Sequence, residues 1–293
     1  MNNSFIKFIK NKNIALSHKE KFVGIIGSNP SKGARSPSLW NKVYKKFNKN
    51  IKMYPLDVEK KNIKKLIFEL NKNKNFLGGS VTVPFKETIK NILKNNLSNE
   101  AKIIGAVNCL YRNQSKLRGT NTDGEGSVKA FKNFTNFKKI STISFLGCGG
   151  AGKAVATYFA YHYKKAKINI FSTNNKNKSF ARKINANFYS WKEINKYIYS
   201  SNLIINCTDI GFNEKKHKSP LSDNVFKRLN KNTIIYDIIY QPKITRFLNF
   251  AKKNKLKNLN GLEMNLQQAA LGFLHVNKSF KNLNLIKKIM SNK

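Results

Sequence analysis

Apolar residues in this chain fall in short runs that alternate between strand-like and helix-like spacing, and the alternation predicts the architecture. The run from Phe22 to Ile26 predicts a strand. It is followed by the loop SNPSKGARSP and by a helical pattern from Ser38 that puts Trp40, Val43, Tyr44 and Phe47 on one face. A second strand is expected over Ile51–Leu56, a helix over Ile63–Leu70, a third strand over Gly78–Val83 stopped by Pro84, and a helix over Glu87–Leu93. Gly105–Tyr111 is strand-like. The pattern restarts after Asn121-Thr122-Asp123-Gly124, with a helix near Ser127–Phe134 and strands at Ile140–Leu146, Lys167–Ser172, Leu203–Cys207 and Thr233–Ile239. Strands alternating with helices imply an α/β fold, with mostly parallel sheets covered on both faces.

The length of 293 residues allows two cores of ordinary size. The expected division is a first domain over 21–122, joined by a returning helical tail over 262–293, and a second domain over 123–261. Residues 1–20 are basic and lack an apolar stretch of signal-peptide length, so they are expected to form a poorly ordered extension. No apolar run approaches the roughly 18 residues of a membrane span, which predicts a soluble protein.

Charge and cysteine content narrow the function classes. The net charge of +42 would suit a polyanion partner, yet only six of the 56 basic residues are arginine and the lysines are spread along the whole chain. Arginine is the residue favoured for bidentate phosphate and base recognition. The charge therefore predicts a solvated basic surface attractive to anionic substrates, with no specific nucleic-acid partner. Cys109, Cys148 and Cys207 are odd in number and lack C-x-x-C spacing, which predicts no disulfide framework, no metal site and a cytoplasmic, reducing location.

The sharpest local signal is G-x-G-x-x-G at Gly147, Gly149 and Gly152, directly after a predicted strand and at the opening of a helix. The first glycine permits a tight turn, the second lets backbone approach a pyrophosphate, and the third allows close helix packing above free N–H groups. Gly147, Gly149, Gly150, Ala151 and Gly152 are the candidate dinucleotide loop. No Asp or Glu occurs between Glu125 and Glu193, so the usual acid for a ribose 2′-hydroxyl is missing at the end of the next strand. Thr173, Asn174 and Lys176, with Lys178 close by, would instead accommodate a 2′-phosphate, which predicts NADP.

Several further segments occur in a fixed order. Ser80-Val81-Thr82-Val83-Pro84-Phe85-Lys86-Glu87 is followed by Gly105-Ala106-Val107-Asn108, by Asn121-Thr122-Asp123-Gly124 and by the glycine loop. Then come Asn206-Cys207-Thr208-Asp209-Ile210-Gly211, Tyr236-Asp237-Ile238-Ile239-Tyr240, Gly261-Leu262-Glu263-Met264 and Gln268-Ala269-Ala270. Together these segments resemble the shikimate dehydrogenase family over nearly the whole chain after Lys21. The resemblance implies a substrate domain and a Rossmann-type NADP-binding domain with a cleft between them. It also implies reversible NADPH-dependent reduction of 3-dehydroshikimate to shikimate, on the route to chorismate and the aromatic amino acids, by a monomer or homodimer.

By matching positions, the resemblance makes Lys86 and Asp123 the catalytic pair. An ammonium beside a ketone receiving hydride stabilises alkoxide charge and delivers a proton, while Asp123 would hold the lysine head group and bond a substrate hydroxyl. Ser36, Thr82, Asn108, Tyr240 and Gln268, together with Lys86 and Asp123, match substrate-contacting positions. Thr208, Gly211 and Gly261 fall on the cofactor side, the two glycines near the nicotinamide. His18, His162, His275 and Trp191 match no site motif and are expected to be packing or surface groups.

Two departures stand out. The family's Ser-x-Ser-Pro is Ala34-Arg35-Ser36-Pro37 here, leaving one serine, with Lys32 and Arg35 the neighbouring cations; and the family's Asn-Arg-Thr clamp on the 2′-phosphate is replaced around Ser172–Asn175. A quinate or other shikimate-like hydroxy-acid dehydrogenase remains the nearest alternative, and an inactive basic polyanion-binding protein on the same fold the more distant one.

Overall fold

The computed structural model describes residues 4–11, 14, 16–17, 20–135 and 140–292. They divide into two compact units, Met1–Thr122 with Gln268–Lys293, and Asp123–Gln267.

The first unit starts with β1 (Phe22–Gly27), α1 (Ser36–Lys46), β2 (Lys52–Asp57), α2 (Ile63–Lys72), β3 (Phe76–Val81) and α3 (Lys86–Leu93). β1 pairs in parallel with β2 on one side and β3 on the other, Ile26 lying opposite both Leu56 and Val81. The strand expected over Gly105–Tyr111 begins only at Cys109. α4 (Asn99–Ile104) comes first, capped at its start by the Ser98 hydroxyl and ended by Gly105 in the left-handed region at φ 76°. An antiparallel hairpin of β4 (Cys109–Asn113) and β5 (Lys116–Thr120) follows, giving the sheet order β2-β1-β3-β4-β5. Arg112 ties this hairpin to the preceding loop by donating to the carbonyls of Phe76, Leu70, Asn73 and Ser115 at 2.6–2.8 Å.

Strand alternation sends Phe22 and Ile26 to one face of this sheet, where they pack with Leu66, Ile67 and Ile89 of α2 and α3. Trp40 and Tyr44 of α1 pack on Phe273, both rings within 5.3 Å of it.

The N-terminal segment departs from expectation. Residues 1–20 were expected to form a poorly ordered extension, but the described part of the segment belongs to the core. Phe5 stacks on Phe22 at 5.2 Å, and Phe5, Ile9 and Ile14 are buried. Ile9 forms an antiparallel bridge with Val58, Lys10 N–H donates to the Asp57 carbonyl at 2.7 Å, and the Asn11 amide donates to the Pro55 carbonyl at 2.8 Å. The physical reason is the open edge of β2, which offers unpaired backbone groups and an apolar shelf. His18 lies outside the described residues.

The second unit runs α5 (Asp123–Phe134), β6 (Thr142–Leu146), α6 (Gly150–His162), β7 (Lys167–Ser172), α7 (Asn177–Lys183), β8 (Asn187–Ser190), α8 (Ile194–Tyr197) and β9 (Leu203–Asn206). It continues through α9 (Asp223–Arg228), β10 (Ile234–Asp237), α10 (Arg246–Lys253) and β11 (Asn258–Leu259). The sheet order is β11-β10-β9-β6-β7-β8, with every neighbouring pair parallel. One core layer gathers Phe131, Val155, Phe159 and Phe180, and the other Phe226, Phe247 and Leu248, so α5–α7 and α9–α10 cover opposite faces.

The expected boundary at Leu262 also moves. α11 (Leu262–Val276) is continuous, and the division falls between Gln267 and Gln268. Met264 is buried in the second unit's core, whereas the Ala269 carbonyl accepts the Trp40 indole N–H at 3.1 Å in the first. One unbroken helical period carries no mark of that change of partner. α12 (Leu283–Ser291) completes the first unit. Among the described residues no helix is long and apolar enough to cross a membrane.

Candidate active site

Each sheet has one place where successive crossovers reverse direction. In the first unit the chain moves from β1 out to β2 and returns to β3 on the other side, so the reversal lies between β1 and β3. In the second it lies between β6 and β9. Loops leave such a point on opposite sides, opening a crevice at the strands' C-terminal ends where ligands of open α/β sheets bind. Candidate residues sit at both. Ser36 follows β1, and Thr82 and Lys86 follow β3; the glycine loop follows β6, and Thr208 follows β9.

In the first unit backbone bonds gather three separate segments. Thr82 N–H donates to the Ile26 carbonyl at 2.8 Å, Val81 N–H to Asn108 at 2.7 Å, and Val107 N–H to Lys86 at 2.9 Å. Asn108 is buried; its side-chain Oδ1 accepts from Thr122 N–H at 2.8 Å, and its side-chain amide donates to the Thr122 hydroxyl at 3.1 Å and to Gln268 Oε1 at 3.4 Å. The Thr122 hydroxyl in turn donates to the Gln268 carbonyl at 3.0 Å, and the Asn121 amide to the Ala106 carbonyl at 3.0 Å. The structure thus brings Asn108 and Gln268 together, and it adds Thr122 as their support and Asn121 as a tie to the loop before Asn108. Both lay inside a segment quoted for its resemblance, with no role assigned.

Lys86 is the first residue of α3, where a positive charge opposes the helix dipole. Such placement costs helix stability and fits a lysine kept for chemistry. Ser36 is buried at the first turn of α1 beside Pro37, Arg35 is half-buried at the cap, and Lys32 is exposed. The loop before them is held by Asp57, which accepts from the Ser31 N–H at 2.9 Å and from the Ser31 hydroxyl. Asp57 closes an otherwise ordinary strand, and sequence reading assigned it nothing.

In the second unit the helix expected near Ser127–Phe134 begins earlier, so Asp123 lies buried in the first turn of α5. Gly124 beside it has no room for a Cβ against Tyr158 and the Ala154 carbonyl, which brings α5 hard onto α6. The three loop glycines differ in their surroundings. Gly147 has φ +94°, and a Cβ there would lie 2.7 Å from Thr208 Cγ2. At Gly152 a Cβ would lie 2.7 Å from the Gly147 carbonyl oxygen, so helix and turn touch through it. Gly149 faces open space within 4 Å and caps the 13-residue α6, with Gly150 and Ala151 in its first turn. An open, backbone-only surface before a helix N-terminus suits a pyrophosphate.

At the end of β7 the Ser172 hydroxyl oxygen accepts from Asn174 N–H at 3.1 Å and from the Asn177 amide at 3.0 Å, while Asn174 Oδ1 accepts from Lys176 N–H at 3.0 Å. Thr173, Asn174, Lys176 and Lys178 are exposed there, and no acid accompanies them. The residues present fit NADP, because an acid would repel its 2′-phosphate and cations would attract it.

Tyr240 is half-buried after β10. Gly211 has φ +110°, and Gly261 has no room for a side chain against the Ile238 carbonyl, so turn geometry and packing by themselves require both glycines. Burial pushes the Asp237 carboxyl up to about 7, against hydrogen bonds from Thr245, Ile239 and Asn206 that lower it. Burial also pushes the Cys207 thiol well above its ordinary range. His275 packs on the Tyr111 ring at 5.7 Å, Trp191 is half-buried in the turn after β8, and burial and Lys132 lower the His162 imidazole at the end of α6.

A family model described as the shikimate dehydrogenase substrate binding domain matches residues 25–110. The shikimate dehydrogenase (NADP(+)) of Caldanaerobacter subterraneus is 32% identical, covering 86% of this chain and 90% of its own. That of Clostridium beijerinckii is 34% identical, covering 85% and 89%. Among solved structures, a shikimate 5-dehydrogenase from Thermus thermophilus in complex with NADP(H) and shikimate superposes with a TM-score of 0.77 at 25% identity, covering 92% of this chain and 98% of that one. A quinate dehydrogenase from Corynebacterium glutamicum in complex with NAD shares the fold, with a TM-score of 0.79 at 20% identity over 92% and 98%.

Proposed function

The chain belongs to the shikimate dehydrogenase family, and from that premise we propose that it interconverts shikimate and 3-dehydroshikimate with NADP, on the route to chorismate and the aromatic amino acids. The enzyme is an NADP-dependent oxidoreductase acting on a CH–OH group, built from two α/β units of which the second is Rossmann-type. The observation that carries the reading to residues is that both crossover reversals hold the matching motifs: Thr82, Lys86 and Asn108 at one, the open glycine loop at the other.

NADP accepts or supplies the hydride when bound. Gly147, Gly149, Gly150, Ala151 and Gly152 receive its pyrophosphate on backbone N–H groups, and Thr173, Asn174 and Lys176 surround its 2′-phosphate. Thr208, Gly211 and Gly261 belong to the cofactor side. In the reducing direction Lys86 is the general acid, its ammonium stabilising the alkoxide as it forms and giving it a proton, a contribution of about 10²–10⁴-fold. Asp123 accepts from a substrate hydroxyl. Ser36, Thr82, Asn108, Tyr240 and Gln268 supply the several donors and acceptors that a small polyhydroxy acid requires. Asn108 is already oriented by Thr122, and the Gln268 side chain by the Asn108 amide, which lowers the entropy lost on binding.

The two domains of the proposal are a substrate domain in the first unit and an NADP domain in the second. A cytoplasmic location, a monomeric or homodimeric state and the lack of a specific nucleic-acid partner are part of the same reading, supported by three cysteines without C-x-x-C spacing and by lysine-rich rather than arginine-rich charge.

Initial rates with shikimate and with quinate, each against NADP and NAD, test the proposal. Shikimate with NADP is expected to give the largest kcat/KM. Turnover of quinate alone would assign the enzyme to the neighbouring hydroxy acid, an outcome that Ala34 makes worth measuring; turnover of neither acid by folded protein would overturn the reading.

A further inference from the structure

Three wholly buried polar side chains of the second unit lie beside the residues assigned to ligands, yet none has a role in the chemistry described. They are Asn206 at the end of β9, Asp237 at the end of β10 and Thr245 at the cap of α10. Each strand end would be apolar by the pattern of its run, so a polar group there needs a reason.

Their bonds form one chain. Asp237 Oδ1 accepts from the Asn206 amide at 3.1 Å and from Ile239 N–H at 3.0 Å, and Oδ2 accepts from the Thr245 hydroxyl at 2.6 Å. The Asn206 amide also donates to the Ile210 carbonyl at 3.2 Å, while its oxygen accepts from Thr208 N–H at 3.0 Å and from the Thr208 hydroxyl at 2.7 Å. Gly211 closes that loop with its Cα against Ile239 and Thr245, where a Cβ would lie 3.3 Å from each. Gly261 N–H donates to the Ile239 carbonyl at 3.0 Å. One carboxylate therefore anchors the loop after β9 and the loop after β10.

We propose that Asp237 is a positioning residue for both ligands, fixing Thr208 and Gly211 through Asn206, and fixing Tyr240 through Thr245 and the Ile239 backbone. The inference rests on the assignments above, which place Thr208 and Gly211 on the cofactor side and Tyr240 on the substrate side. All the partners of the carboxylate are donors, so they act together: a bonded network in a dry interior holds its members more firmly than the separate pairs would. Losing one donor should loosen both loops.

The test uses the whole protein with Thr245→Val, Thr245→Ser and Asp237→Asn. Valine keeps the shape and removes the donor, and serine restores it. Three quantities are read: the NADP dissociation constant by calorimetry, the shikimate KM with kcat, and the thermal midpoint. Thr245→Val should weaken NADP binding and raise the shikimate KM by about tenfold each, with kcat changed less than about threefold, and Thr245→Ser should recover both. Asp237→Asn, nearly isosteric, should move both constants in the same direction and serves where valine does not fold. Unchanged NADP and shikimate constants in a folded Thr245→Val or Asp237→Asn, whatever the thermal midpoint, would overturn the positioning role. A shift in the NADP constant alone would overturn its extension to substrate. Wild-type protein that turns over neither acid would instead fault the underlying reading, so the two failures are distinct.

Discussion

At the reversal in the first unit the candidate site is a set of side chains that hold one another, whereas at the reversal in the second it is a stretch of backbone from which side chains are missing. Asn108, Gln268 and Thr122 are bonded among themselves, and Lys86 and Thr82 are brought beside them by strand and loop carbonyls. Gly147 and Gly152 leave no room for a Cβ, while Gly149 leaves open surface. A substrate with several hydroxyls is told apart by directional side-chain groups, but a pyrophosphate common to many ligands needs only N–H groups and close approach. The first kind of site should fail in turnover or substrate binding when altered, and the second in cofactor affinity.

Four experiments bear on that contrast, taken from the largest expected effect to the smallest. Phe5→Ala removes a ring stacked in the core of the first unit and should cost about 3–5 kcal/mol in urea-unfolding stability. The NADP affinity of the folded protein should be unchanged; a loss under 1 kcal/mol on the order of surface substitutions would show that the N-terminal segment is not part of that core. Lys86→Ala should lower kcat by at least about 10²-fold, with a smaller change in KM and none in the NADP dissociation constant, because the ammonium matters most as alkoxide charge develops. Turnover near that of the wild type would remove Lys86 from the mechanism.

Gly147→Ala forces a Cβ into the left-handed region and towards Thr208, strain of roughly 1–2 kcal/mol, so NADP should bind about tenfold or more weakly. An affinity equal to that of the wild type would mean that the loop has room it is not expected to have. Last, the absence of an acid at the end of β7 should favour NADP over NAD by at least about tenfold in kcat/KM, or roughly 1.4 kcal/mol. Equal values would show that the exposed lysines after Ser172 do not meet the 2′-phosphate.

The strand and helix order was legible because buried parallel strands and amphipathic helices impose periods that side-chain chemistry cannot hide. The glycine loop was legible too, since φ +94° at Gly147 and the contact at Gly152 admit no other residue cheaply. The order of motifs carried the family and the candidate residues. Tertiary structure alone decided the rest. Phe5 and Ile9 stand one helical turn apart in a short basic segment whose pattern alone does not mark it as core, and it is the open edge of β2 that explains their burial. β5 had no counterpart among the expected strands, and α11 changes partners between Gln267 and Gln268 without a break in its pattern. The supports of the site, Thr122 for Asn108 and Asp237 for Thr245 and Asn206, are 14, 8 and 31 residues from the groups they hold. A sequence records which polar groups are present, but which of them satisfy one another is fixed only when the strands place their ends side by side and water is excluded.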